Sequence, residues 1–493
     1  MKNRLLYRLF FILFMITGGM GHTQVLEKQM VHSGGTPVSR PMSNAINDIL
    51  IVENDVWIAT GEGLLRTGDN GTSWISYTHV DGLGKDGVSA LAERNDTLWV
   101  ATAYDTTMLL DTYPMGGGLA FTADQGESWH WMDQPKDSEN ETAYTPMTTN
   151  RQNLTYDIAL TDSAIWIASF LGGLRKSTDA GKTWEVVTVD GYPFNPQGPY
   201  THQVFSVIYD EQALWVGTAG GIHKSTDHGK NWVTYNHQNQ PETISGNFVV
   251  AIGHQKTEER NIIWASTIEA VDTTEFDAVS KTEDGGLTWS IVLEGVFAHN
   301  FAFDSLHSAV YVATDQGLYK SMDFGDTWAF FPPFVDAETG EGIYTLDILS
   351  VGVGLDGTFW AGSRDGLARS LDNGATWKIF RAFQSPGQNG TPRTYAYPNP
   401  FSPLQHNQIG ENGYVRFQYK LLHAVQVTVR IYDFGMNLVK TVVEDKVRHS
   451  PGDYAEVWDG RNEIGDSVAN GVYFYQIVLT GEEPLWGKVM VVN

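Results

Sequence analysis

The chain reads as an all-β protein: a seven-bladed β-propeller followed by a small immunoglobulin-like β-sandwich. Three observations predict it. An octapeptide of the form Ser/Thr-x-Asp-x-Gly-x-Thr/Ser-Trp occurs seven times, at Thr67–Trp74, Thr122–Trp129, Ser177–Trp184, Ser225–Trp232, Thr282–Trp289, Ser321–Trp328 and Ser370–Trp377, with Asn231 as the one departure. A second phrase, Trp-Ile/Val-Ala/Gly-Thr/Ser followed by Gly-Leu/Ile, precedes the copies, as in Trp57–Thr60 with Gly63 and Leu64. Repeats at about 40 to 50 residues are those of propeller blades. After the last copy a new alternation begins, in which Val427, Val429 and Ile431 oppose Thr428 and Arg430, the pattern of a strand with one buried face.

Each blade element follows from local chemistry. Alternating apolar runs such as Ala45–Val52, Tyr156–Leu160, Val204–Ile208 and Thr345–Val351 supply a first strand. The Trp phrase supplies the second strand, a turn and the third. In the octapeptide, Asp69, Asp124, Asp179, Asp227, Asp284, Asp323 and Asp372 are placed to accept backbone N–H bonds across a tight hairpin, and the Gly two residues on tolerates positive φ. The closing Trp opens the fourth strand, where its indole wedges between neighbouring sheets. Four strands in seven blades fill residues 44–382. All four strands of each blade come in order, so closure needs no swapped strand, although Val25–Met42 is available to add one.

The ends and the composition set further bounds. Lys2, Arg4 and Arg8 ahead of the apolar run Leu9–Ile16, with Gly19 and Gly21 behind it, mark residues 1–23 as a secretory signal peptide. The run falls short of the roughly 20 residues that cross a bilayer, so no membrane span is expected after cleavage, and residues 24–43 form an N-terminal segment. The absence of Cys excludes disulfides and lipoprotein anchoring. A formal charge of −26 repels nucleic acid and anionic lipid. A Gly/Pro/Ser-rich stretch makes residues 383–394 a linker, and residues 395–493 carry enough alternating strands for a sandwich.

The octapeptide resembles the Asp box of bacterial neuraminidase repeats, also found in sortilins, xyloglucanases and photosystem assembly factors. The resemblance implies a propeller with the box in a structural role, away from any catalytic centre. The phrases Tyr397–Phe401, Val429–Asp433, Trp458–Arg461, Gly471–Tyr475 and Gly487–Val492 resemble the C-terminal sorting domain of type IX secretion substrates, and equally the immunoglobulin-like part of flagellar hook-capping proteins. The sorting resemblance implies type IX secretion machinery as a partner and delivery to the medium or outer surface of a Gram-negative bacterium.

Chemistry is harder to place. The neuraminidase resemblance would call for three converging arginines, the first in an Arg-Ile-Pro phrase, which is absent; Arg66 and Arg369 share the repeat position of Lys176, Lys224, Lys281 and Lys320 and so lie dispersed around the ring. Asp48, Asp157 and Asp347 are weak catalytic candidates, each assigned to a first strand beside the central channel, where other blades carry Ser89 and Ser206. Short polar residues bonding backbone there are the simpler reading. The histidines, among them His202, His223, His228 and His254, read as turn or surface residues, and no metal or cofactor is expected.

The insertions are more telling. Ala103–Gly117, Gln134–Asn153, Asp190–Thr201, Glu269–Ala278 and Pro332–Tyr344 all fall on the face opposite the octapeptides. They hold Tyr113, Tyr144, Tyr192, Phe194, Tyr200 and Phe334 beside Asp105, Asp111, Glu269 and Glu275, a mix of stacking rings and orienting acids suited to a binding surface. The same aromatics could instead pin long loops to the scaffold. The expected function is non-catalytic binding of an extracellular glycan, peptide or protein, with a glycoside hydrolase using carboxylates of that face, or an accessory component of the cell envelope, as alternatives.

Overall fold

The computed structural model describes residues 30–108, 111–136, 152–189, 192–193, 203–240, 242–270, 274–304, 308–331, 333–388, 390–407 and 412–492. Residues 1–23 therefore lie outside the described residues. No described helix is long and apolar enough to cross a membrane.

Seven antiparallel sheets, each built from four consecutive strands, form the propeller. Blade 1 runs through Ile46–Val52, Asp55–Thr60, Gly63–Thr67 and Trp74–Tyr77; blade 7 through Ile348–Val353, Phe359–Ser363, Gly366–Ser370 and Lys378–Phe380. The ring closes directly: Gly366 N donates to Asn44 O at 3.0 Å, and Trp74 of blade 1 meets Trp360 of blade 7 edge-on at 6.0 Å. The N-terminal segment does add strands, but on the outside. Met30–His32 pairs with the outer strand of blade 2 and Thr36–Val38 with that of blade 1, so the chain covers two exposed sheet edges before entering the ring.

The octapeptide turns share one bonding scheme. In the first, Asp69 Oδ1 accepts from Thr67 Oγ1 (2.9 Å) and Ser73 N (2.8 Å), Asp69 Oδ2 accepts from Ser73 Oγ (2.6 Å), and Gly71 N donates to Thr67 Oγ1 (2.8 Å). Asp124, Asp179, Asp227, Asp284, Asp323 and Asp372 repeat it. Bonds from the residue four places on hold Asp179, Asp227 and Asp323 down at about 2.

The closing Trp of one blade packs edge-on against the second-strand aromatic of the blade before: Trp129 on Trp57 at 6.4 Å, Trp289 on Trp215 at 6.4 Å and Trp328 on Trp264 at 6.2 Å. The third-strand cation completes the joint. Lys224 lies 4.7 Å over Trp215 and donates to Gly285 O of the next blade at 2.8 Å. Arg66 to Gln125 O, Lys176 to His228 O, Lys281 to Phe324 O and Arg369 to Asn70 O repeat the contact, the last across the closure. These cations are joints between blades, which is why they do not converge on a ligand.

Contacts divide the chain into two compact units, Met1–Pro332 with Asp347–Arg381, and Pro333–Leu346 with Ala382–Asn493. The second is an immunoglobulin-like sandwich of two sheets, one of Thr394–Tyr397, Val415–Leu421 and Gly452–Trp458, the other of Leu438–Arg448, Val425–Tyr432, Gly471–Leu479 and Leu485–Val491. Val427, Val429, Ile431, Phe417, Tyr475 and Trp458 fill its core. The stretch read as a linker belongs to this unit, where Ser385 Oγ donates to Asp453 at 2.8 Å. So does the connector between blades 6 and 7. Its Val335 bridges Gly342, Gly342 O accepts from Arg416 Nη2 at 3.2 Å, Thr339 O accepts from Arg448, and Tyr344 meets Tyr414 at 4.9 Å.

Candidate functional site

Every first strand carries a β-bulge at the same place. The register against the second strand skips one residue, leaving Asn47, Ser89, Tyr156, Phe205, Val250, His299 and Leu349 unpaired. A bulge re-aims the side chains around it, and here the residues at and after it reach the neighbouring blade. Asp48 accepts from Ile49 N (2.9 Å) and from Leu91 N of blade 2 (3.3 Å). Asp157 accepts from Ile158 N (2.8 Å) and, across to blade 4, from Ser206 Oγ (2.8 Å) and Val207 N (2.9 Å). Ser89, Ser206, Asn300 and Ser350 make comparable bonds between blades. Burial pushes Asp48 up to about 6 and Asp157 up to about 7, against the lowering effect of these bonds.

Asp347 is not their equivalent. The register gives that place to Ser350, and Asp347 precedes the strand Ile348–Val353. It pairs with His299 Nε2 and Arg364 Nε, each at 2.9 Å. Burial alone would raise it, but His299 and Arg364 outweigh burial and hold it below the usual carboxylate range. Ser89, likewise, is the bulged residue itself and not the one after it.

At the long-loop ends of blades 3 to 6 a set of rings packs together: Phe170, Phe205, Phe248 and Phe297 are buried in one cluster, with Tyr156 against them. Phe205 lies 5.7 Å from Phe170 and 5.1 Å from Phe248.

The insertion Ala103–Gly117 is no loop but a continuation of two strands, Thr97–Met108 and Asp111–Thr122, as a ribbon paired as far as Met108 with Asp111. Pairing of Asp105 with Pro114 and of Thr106 with Tyr113 places Asp105 and Tyr113 on opposite faces of the ribbon. Asp105 falls instead beside Asp86 and is pushed up to about 6, first by burial and then by the Asp86 charge. Asp86 and Glu62 are raised too, burial being the larger cause in each, with Asp86 adding to Glu62. Lys85 Nζ sits 3.9 Å from the Tyr104 ring centre. Blades 1 and 2 thus present three carboxyls that burial pushes upward, with a tyrosine and a lysine. Sequence reasoning missed Glu62, Asp86, Lys85 and Tyr104; only Tyr104 falls in an insertion, and Glu62 sits inside the repeated phrase between Thr60 and Gly63.

The remaining predicted residues part company. Glu269 is exposed, while Glu275 is buried in a loop that Phe276 N ties to Ser245 O. Phe334 is buried within the second unit, anchoring the connector rather than displaying a ring, because that connector folds back on itself through Ile343 N to Phe334 O. Tyr144, Phe194 and Tyr200 lie outside the described residues; for Tyr192 and Asp111 only the backbone is described. His223 is neither a turn nor a surface residue. It is buried on Gly221–Ser225 between Thr218 Oγ1 (3.1 Å) and Thr234 Oγ1 (2.9 Å), and burial pushes it down to about 3. Among the described residues no group of His, Asp or Glu is arranged to hold a metal.

Residues 406–483 match the FlgD Ig-like domain family. No curated protein matches the chain. Among solved structures it is similar to a GH74 enzyme of Niastella koreensis, at 14% identity over 92% of this chain and 73% of that one with a TM-score of 0.51. It is also similar to the GH74 xyloglucanase of Xanthomonas campestris, at 14% identity, 93% and 68% coverage and a TM-score of 0.52. PorZ of Porphyromonas gingivalis, a surface component of the type-IX secretion system, aligns at 16% identity over 90% of this chain with a TM-score of 0.42, and the chain spans 64% of its length. For the two GH74 enzymes the likeness is one of fold.

Proposed function

We propose that the chain is a secreted or cell-surface, non-catalytic binding protein whose propeller takes an extracellular glycan, peptide or protein on its long-loop face. In this reading the seven octapeptides are structural Asp boxes, residues 1–23 are a leader and the C-terminal sandwich is the export signal for type IX secretion machinery. One observation carries the non-catalytic part: the channel carboxylates Asp48 and Asp157 spend both oxygens on backbone and hydroxyl donors of their own and the next blade. A carboxylate so engaged staples blades, each of its oxygens already accepting from a donor of the fold. Panels of glycans and peptides against the purified chain test it. Capture that Asp105→Asn with Tyr113→Ala weakens about tenfold, at unchanged melting temperature, supports the loop face; capture indifferent to both removes it.

Glycoside hydrolysis is kept as the second reading because burial and the Asp86 charge push Asp105 up to about 6, so it keeps its proton to a higher pH than an ordinary carboxyl, as suits a general acid. Release of reducing ends from a polysaccharide, abolished in Asp105→Asn, would replace the first reading with this one. The export role is tested by fractionating the native host: a chain ending at Gln384 should accumulate in the periplasm, and its normal arrival outside excludes sorting.

A further inference from the structure

The sandwich has an outward sheet face whose composition is unlike that of the propeller. Along Gly471–Leu479 the side chains of Tyr473, Tyr475 and Ile477 turn into the core, leaving Val472, Phe474, Gln476 and Val478 outward. The register sets these in rows with their neighbours. Tyr432 opposes Phe474, which opposes Lys488; Arg430 opposes Gln476, which opposes Trp486; Val472 opposes Met490. Phe434 follows the end of its strand and lies 6.2 Å from Phe474, and Tyr432 lies 5.7 Å from Trp486. Phe434 is 81% and Trp486 48% exposed. Beside them a cleft of about 640 Å³ is lined by Asp433, Phe434, Asn470, Val472, Phe474 and Lys488.

We infer that this face is a second binding site, for an uncharged polysaccharide chain lying across the strands. Aromatic rings held open to solvent stack on the C–H faces of sugars. Adjacent strands are about 4.8 Å apart and successive outward residues about 6.6 Å, so the rings recur at intervals of the order of one pyranose unit. The polar groups between them suit hydroxyls. Tyr432 Oη already donates to Gln476 Oε1 at 3.2 Å, leaving the Gln476 amide N–H₂ to donate outward. Charge selects against a polyanion: the chain carries −26 overall, and Arg430 is compensated by Glu444 at 3.7 Å. An apolar peptide or helix is disfavoured because Arg430, Gln476 and Lys488 interrupt the rings.

The test is native gel electrophoresis of the full chain in gels holding a mixed-linkage β-glucan, a xyloglucan, a mannan or polygalacturonate. It is done in the Asp105→Asn/Tyr113→Ala background, so that failure of the loop-face reading is scored separately. Retardation by one of the three neutral polymers, weakened about tenfold by adding Phe434→Ala and Trp486→Ala, is the result expected. Phe434→Ala alone, at a highly exposed ring, decides the matter should the paired change lower the melting temperature. No retardation by any neutral polymer in that background, retardation by polygalacturonate only, or retardation indifferent to Phe434→Ala would each overturn the inference.

Discussion

The two faces of the propeller differ in one respect that governs the rest: the octapeptide face says the same thing seven times, and the long-loop face departs from the repeat at its insertions. On the first, each Asp, Gly, Trp and cation has counterparts in equivalent contacts around the ring. On the second, Glu62, Asp86 and Asp105 gather at blades 1 and 2, the Asp347 contacts with His299 and Arg364 at blades 6 and 7, and a cluster of rings between blades 3 and 6. In a repeat protein, what recurs holds the ring and what departs from the repeat is available for recognition.

The comparison breaks most visibly at the wedges. Trp129→Ala, at a fully buried indole, should cost roughly 3–5 kcal/mol without changing ligand capture per folded molecule; chemical denaturation and binding on the same sample check it. Next come the channel staples. Asp157→Ala strands the donors of Ser206 and Val207 and should cost about 1–3 kcal/mol. Because Asp48 and Asp157 are raised in the folded chain, their contribution is full below about pH 4 and is lost as pH rises through 6 and 7. The melting temperature should therefore fall across that window, and Asp48→Asn with Asp157→Asn should flatten the fall. The octapeptide aspartates have the opposite sign: their contribution is present above about pH 4 and lost as pH drops toward 2.

Asp124→Ala, in one turn of seven, should lower melting by only a few degrees, again with capture intact. A turn variant that kept its melting point but lost its ligand would move the working surface to the wrong face. Smallest in stability are Asp105→Asn and Tyr113→Ala, for which calorimetry should show almost no shift while affinity drops about tenfold. Inversion of those two readouts would make the ribbon a structural brace.

How much could be read from the sequence tracks the same division. Asp69 and Trp74 announced their roles because identical neighbours recur at fixed spacing. The bulge at Tyr156 or Phe205 did not, since it exists only in the pairing of one strand with another. Asp105 stands out by its insertion, but its neighbour Asp86, and Glu62 next to Asp86, come from other turns, and proximity across blades leaves no local trace. His223 and Phe334 were misread for a related reason: whether a polar ring or a loop aromatic is covered is settled by what folds over it.

The allegiance of the connector has a consequence for how this protein can be taken apart. Blade 7 is an excursion between two pieces of one folding unit, so the sandwich is not a tail hung on a finished propeller. Its arginines Arg416 and Arg448 hold carbonyls of a peptide made before the last blade. A protease that nicks the chain between Ala382 and Thr394 would cut the covalent path and still leave the sandwich gripping residues 333–346. The two fragments should then travel together through a sizing column and separate only in denaturant. Expressed alone, the sandwich would keep the Arg448–Glu456 pair but lose the carbonyls of Gly342 and Thr339 that Arg416 and Arg448 hold.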